Sequence, residues 1–218
     1  MTGACCGGNS CDSLFGEKSA GRDLRSYLKR GLRGDARLLA KWASSAGLAG
    51  ATVLDVGGGV GAIQAELVRQ GAAQGTVVEV VPAYQRFALE LAEKLGVAGR
   101  SRFVLADLSE GAEDVAPADL VVLRRVVCCS PHGPQLLAVA GTLTRRVLLV
   151  SYPRRVAWTR AFSWAENLAF RLIGRGFRSF IHPPGELEAA ATASGLRRTR
   201  SSRGLIWQSA AFERVEAP

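Results

Sequence analysis

The sequence predicts an α/β protein: a mostly parallel sheet with helices on both faces. Three observations carry that expectation. From residue 52 onward, short apolar runs of strand length alternate with helical patterns, and parallel strands need crossover helices that cover the sheet. The first run, Thr52–Val56, passes directly into glycines at 57, 58, 59 and 61 and then into a helical stripe. The last two runs, Arg197–Arg203 and Leu205–Glu213, flank a turn at Ser202-Arg-Gly204 and read as an antiparallel pair ending the sheet.

Each element has a local reason. Residues 1–13 are rich in Gly, Cys, Ser and Asn and read as a flexible tail. Residues 14–48 read as an N-terminal helical cap of one or two basic helices. There Leu24, Tyr27, Leu28 and then Leu38, Leu39, Trp42 recur at helical spacing. The α/β domain takes the remainder, 49–218. Its first helix, about 60–70, carries Val60, Ile63, Leu67 and Val68 on one stripe. Strand two is Thr76–Val80. Pro82 opens the next helix, whose buried stripe runs from Tyr84 through Phe87, Leu91 and Leu95 until Gly96 stops it. Strands three, four and five are Arg102–Leu105, Leu120–Leu123 and Val147–Ser151, with a short helix after Pro131. Residues 156–173 form an amphipathic helix with Trp158, Ala161, Phe162, Ala165, Leu168, Ala169 and Leu172 on one side. A last helix runs from about 184 to 194.

Length and composition narrow the function classes. The 218 residues suffice for one α/β domain with a real core, and 48% of them are hydrophobic, which argues against general disorder. The apolar runs are too short to span a membrane, and no basic-then-apolar leader opens the chain. Five cysteines, an odd number, point to reduced thiols in the cytoplasm. The net charge of +9 would suit nucleic acid, anionic lipid or an acidic small substrate. No zinc-finger spacing or aromatic RNA-binding motif accompanies it.

The chemistry converges on the first βα corner. Glycines permit a tight turn and a close backbone approach to a ligand, and the helix start behind them offers free N–H groups and a positive dipole end. Gly57, Gly59 and Ala62 also match a dinucleotide fingerprint. Asp55 immediately before the glycines argues against a pyrophosphate, which its carboxylate would repel. A zwitterionic amino-acid group with an ammonium tolerates or uses it. Glu79 closes strand two, where a carboxylate accepts ribose hydroxyls. Asp107, at the end of strand three, is placed to accept from an adenine amino group or to cap a helix.

A glycine loop followed by strand-end acids at Asp55, Glu79 and Asp107 resembles the class I S-adenosylmethionine-dependent methyltransferases, over about residues 50–150. The resemblance implies a Rossmann-like, seven-stranded, mostly parallel sheet with an antiparallel C-terminal hairpin. It implies S-adenosyl-L-methionine as cofactor and S-adenosyl-L-homocysteine as product. Asp55, Gly57, Gly59 and Glu79 become the methionine and ribose contacts. Gly58, Gly61, Val80, Ala106, Asp107, Leu108, Arg124 and Arg125 join them as cofactor-binding candidates. Further on, Phe180–Glu188, Gly195–Thr199 and Ile206–Glu213 are similar to the C-terminal part of magnesium-protoporphyrin O-methyltransferases. The basic N-terminal helices and Cys5-Cys6 do not match that group, so a small-molecule acceptor, with O-methylation favoured, is the expectation.

Methyl transfer from a sulfonium is an in-line displacement, and an oxygen acceptor benefits from a base. The catalytic candidates are His132 after strand four, His182 before two prolines, and Tyr152 after strand five. Cys128 and Cys129 read as small buried hydrophobes or as soft-metal ligands of a metalloid or thiol methyltransferase, with Cys5, Cys6 and Cys11 as further ligands. Helix 156–173 lies where this fold inserts a substrate cap, about 156–176. Its Trp158, Phe162 and Trp164 would line an apolar acceptor site or pack on the sheet, and its arginines would suit an anionic membrane surface. An RNA methyltransferase, or a non-catalytic NAD-type nucleotide-binding domain, are the competing readings. Oligomeric state is not legible.

Overall fold

The computed structural model describes residues 14–111, 113 and 115–215. The tail over 1–13, with Cys5, Cys6 and Cys11, lies outside the described residues.

One seven-stranded sheet organises the chain, in the order β3-β2-β1-β4-β5-β7-β6. Its strands are β1 (Thr52–Val56), β2 (Gln74–Glu79), β3 (Ser101–Leu105), β4 (Ala118–Arg124), β5 (Thr144–Pro153), β6 (Leu196–Arg203) and β7 (Trp207–Arg214). Strands β1 to β5 pair in parallel. The final hairpin is antiparallel, β7 inserting between β5 and β6. This is the sheet the sequence predicts. The hairpin turn sits slightly later than expected, over 204–206, with the Gly204 amide donating to the Trp207 carbonyl at 2.8 Å.

The helices are α1 (Glu17–Arg30), α2 (Gly34–Ser45), α3 (Ala62–Arg69), α4 (Tyr84–Lys94), α5 (Gly133–Thr142), α6 (Ala157–Leu172) and α7 (Pro184–Ala193). The basic N-terminal region is therefore two helices, parted at Gly31, whose φ of 62° ends α1.

Burial follows strand alternation. Val53, Leu120, Val122 and Leu149 face one core layer with Leu39 of α2, Ile63 and Leu67 of α3, and Leu91 of α4. Their neighbours Leu54, Val121, Leu123, Leu148 and Val150 face the other, with Leu136 and Leu137 of α5 and Leu187 of α7. Strands buried on both faces need continuous apolar runs, which is why β4 and β5 read so clearly in the sequence. The carboxyl ends of β1, β2, β3 and β4 open on one side, where β1 lies between β2 and β4. That reversal of strand order is where open α/β sheets place their ligands.

Helix α6 departs from expectation. Its apolar stripe faces outward: Phe162 is 65% and Trp164 69% exposed, and only Thr159 of the helix is buried. No described helix is long and apolar enough to cross a membrane.

Candidate functional site

β1 ends in Asp55 and Val56, and the chain then turns through Gly57 and Gly59 at φ of 60° and 58°. The Gly57 amide donates to the Val78 carbonyl at 2.7 Å, which fixes the turn against β2. A Cβ at Gly57 would lie 2.5 Å from Val126 Cγ2, and one at Gly58 would lie 2.7 Å from the Asp55 carboxyl carbon. Gly61 completes the turn at φ 68°, with Val77 2.6 Å from where its Cβ would stand. Side chains are excluded from this corner by both conformation and space.

Asp55 is 1% exposed. Its Oδ2 accepts from the Gln64 amide at 3.4 Å, and its Oδ1 has no hydrogen-bond partner. Burial pushes its carboxyl up to about 7; the Gln64 amide and the Arg124 charge oppose the shift, and Glu79 adds to it. An unpaired buried carboxylate oxygen is costly. It marks a place where a ligand donor would be stabilising.

Glu79 is also buried. Its Oε2 accepts from the Gly59 amide at 3.0 Å. Its Oε1 accepts from the Val80 and Val81 amides at 2.8 and 3.1 Å. Burial raises its carboxyl above the usual range, and these three amides work against that rise. Asp107 at the end of β3 accepts from the Ser109 amide and hydroxyl at 2.9 and 2.6 Å, a local turn that holds the loop.

Asp55, Glu79 and Asp107 line one cavity of about 540 Å³, together with Gly57, Gly58, Gly59, Val80, Ala106, Leu108, Arg124 and Arg125. Of the sequence-derived cofactor candidates, Gly61 alone stands back from the wall. The opposite wall comes from the N-terminal segment: Phe15, Ser19, Arg22, Asp23, Tyr27 and Arg33. Tyr84 closes the floor, its hydroxyl donating to Asp23 Oδ2 at 3.1 Å.

Sequence reasoning missed Asp35. It begins α2 with its side chain 6% exposed. Its Oδ2 accepts from Arg125 Nε at 2.7 Å and from the Ser151 hydroxyl at 3.0 Å, and its Oδ1 accepts from Arg124 and Arg125. Burial pushes the Asp35 carboxyl up, but the Arg125 hydrogen bond, the two guanidinium charges and Ser151 outweigh it and hold it below the usual range. Arg125 is the sole non-glycine residue with positive φ among the described residues, at 59°, and its guanidinium lies 4.2 Å from the Trp207 ring centroid. The one sequence signal was an acid in the first turn of a helix, which the dipole alone explains.

The catalytic candidates lie elsewhere. Tyr152 is 6% exposed in the core layer below α5 and α7, because its strand position points away from the cavity. His132 sits exposed at the start of α5. His182 places Nε2 2.9 Å from the Ser130 carbonyl and 3.0 Å from that of Val127, bracing the loop after β4. None of the three lines the cavity. Trp158, Phe162 and Trp164 do not line it either. Cys128 is buried and donates to the Arg125 carbonyl at 3.3 Å, while Cys129 reaches the cavity wall. Among the described residues no three His, Cys, Asp or Glu side chains cluster at metal-binding distance.

No protein-family model and no curated protein matches the chain. Solved structures do. A magnesium protoporphyrin IX methyltransferase from Synechocystis PCC 6803, with bound SAH, superposes with a TM-score of 0.69 at 16% identity, covering 95% of this chain and 99% of that one. The chain has the class I methyltransferase fold. An O-methyltransferase family protein from Burkholderia thailandensis gives a TM-score of 0.70 at 17% identity, over 92% of this chain and 61% of that longer one. A cyclase gives 0.62 at 15% identity, over 82% and 81%. The class I methyltransferase fold thus carries more than one reaction, and the reaction must be argued from the site.

Proposed function

We propose that this chain is an S-adenosylmethionine-dependent methyltransferase acting on a small-molecule acceptor, with an oxygen as the favoured methyl-accepting atom. The observation that carries the reading is the unpartnered Oδ1 of Asp55 beside the glycine turn, in the same cavity as Glu79. A dinucleotide pyrophosphate would bring negative charge against that oxygen. The α-ammonium of an adenosyl amino acid would bring a donor.

The residues present fit the cofactor. Asp55 would face the amino-acid end, Gly57 and Gly59 would allow its close approach, Glu79 would accept from the ribose, and Asp107 with Ala106 and Leu108 would bound the adenine. When bound, the cofactor supplies a methyl group already activated on a sulfonium. What the protein adds is alignment and exclusion of water, which in favourable cases lowers a barrier by about 7–11 kcal/mol. The α1 side of the cavity, with Phe15, Tyr27 and Arg22, would orient the acceptor, its apolar rings removing water and its arginine facing any acidic group. The neighbours described as methyltransferases support this reading.

Titration calorimetry with S-adenosylhomocysteine, alongside reduced nicotinamide dinucleotide, tests it. Binding of the first and not of the second is expected. No heat at high micromolar S-adenosylhomocysteine, or binding of the dinucleotide in its place, would reject the proposal.

A further inference from the structure

Helix α6 is amphipathic in the reverse sense for a globular protein. Its body-facing side is mainly polar: Asn167 exchanges two 2.8 Å hydrogen bonds with the backbone of Ser179, and Glu166 accepts from the Ser179 hydroxyl at 2.9 Å, while Phe170 packs edge-on against Phe177. The apolar stripe, with Trp158, Phe162, Leu168 and Leu172 at helical spacing, faces solvent, and Trp164 flanks it. Leu172 is 77% exposed. The β6–β7 turn lies beside the start of α6: its Leu205 is 77% exposed, and its Ile206 carbonyl accepts from the Arg154 amide. An exposed apolar stripe of this length marks an interaction site rather than ordinary exposure.

The charge around it selects the partner. Between residues 154 and 180 the chain carries six arginines and one acid, and that acid, Glu166, is the one turned inward. Arg155, Arg160, Arg171, Arg175 and Arg178 are exposed. Two copies of the chain meeting through this face would oppose one arginine rim with another. An apolar stripe bearing tryptophan and phenylalanine within a cationic rim matches the interface of an anionic bilayer, where rings enter the acyl boundary and guanidinium groups meet phosphates. We propose that the outward face of α6, with the β6–β7 turn, docks this protein on anionic lipid surfaces.

Cosedimentation of the full chain with vesicles tests this, using phosphatidylcholine alone and phosphatidylcholine mixed with phosphatidylglycerol. Partition onto the mixed vesicles at least about tenfold stronger than onto the neutral ones is expected, with a blue shift of tryptophan emission. Because a chain of net charge +9 attracts anionic vesicles without a dedicated surface, the deciding variant keeps every charge. The triple substitution Phe162→Ser, Trp164→Ser and Leu172→Ser should lower partition about tenfold or more and leave the melting temperature unchanged, since all three side chains are exposed. Unchanged partition of that variant would overturn the proposal. So would absence of binding at low salt, or a concentration-dependent dimer of the wild-type chain that the same substitutions dissolve.

Discussion

Asp35 Oδ2 accepts a 2.7 Å hydrogen bond from Arg125 Nε, joining the first turn of α2 to the end of β4. This contact and its neighbours tie the N-terminal helices to the rim of the cavity. Removing one partner of a mostly buried ion pair strands the other, but both guanidinium groups are more than a third exposed and water would recover part of the loss. Asp35→Ala is therefore expected to cost about 1–3 kcal/mol in urea unfolding. Because the folded carboxyl is held low, its contribution is present above the unfolded carboxylate pKa and vanishes as pH falls through the folded value. The gap between wild type and Asp35→Asn should close below about pH 4.

Asp55 titrates in the opposite sense. Its folded carboxyl is raised from 3.8 to about 7, so the folded protein holds a proton that the unfolded chain has released. The stability it lends is full below the unfolded value and is lost as pH rises through about 7. Glu79 is shifted in the same direction. The ligand-free protein should be less stable at about pH 8 than at about pH 5, by roughly 3 kcal/mol from Asp55, and should melt at a correspondingly lower temperature. Asp55→Asn should flatten that profile in calorimetric scans.

Affinity for S-adenosylhomocysteine should weaken about tenfold or more in Asp55→Ala and in Glu79→Ala, a loss of about 1.4 kcal/mol or above. Glu79→Ala also frees three backbone amides, so a lower melting temperature should accompany the weaker binding. Wild-type affinity in both variants, read by titration calorimetry, would break the assignment of the corner.

Gly57→Ala should be worse than a simple loss of flexibility. The positive φ costs about 1–2 kcal/mol, and the new methyl would drive into Val126 at 2.5 Å, moving the strand-four side of the cavity. Thermal scans should show a clear destabilisation and calorimetry a loss of S-adenosylhomocysteine binding.

Substitutions at the three candidates that stand off the cavity should separate cleanly. Tyr152→Phe and His132→Ala should keep wild-type S-adenosylhomocysteine affinity. His182→Ala should lower stability by about 1–2 kcal/mol, because its ring nitrogen lies at hydrogen-bond distance from two loop carbonyls. Thermal melts of the three variants, run beside the calorimetry, check this.

The sheet was legible because both its faces are covered. The strand runs Leu120–Leu123 and Val147–Ser151 have no polar interruption, and glycines mark the turn where backbone geometry admits nothing else. Asp55, Glu79 and Asp107 could be read because strand ends are points on that same frame. The N-terminal wall of the cavity was not legible. It is set by how α1 folds back, and Asp35 meets Arg125 across a sequence separation of 90 that no local periodicity encodes. Tyr152 stands off the cavity for a simple reason: being near a strand end does not say which face the side chain takes, and alternation sends it into the core. The stripe on α6 was correctly periodic, but periodicity does not reveal which side is wet. The hydrogen bonds of Asn167 and Glu166 to Ser179 decide that.

Glu79 clasps the amides of Gly59, Val80 and Val81 through bonds internal to the chain. The glycine bend is thus fastened to its neighbouring strand by the chain itself, a cradle that is complete before a nucleoside arrives. Association should proceed as a single kinetic phase without a slower rearrangement, and backbone amide exchange at the bend should be slow even in the free protein.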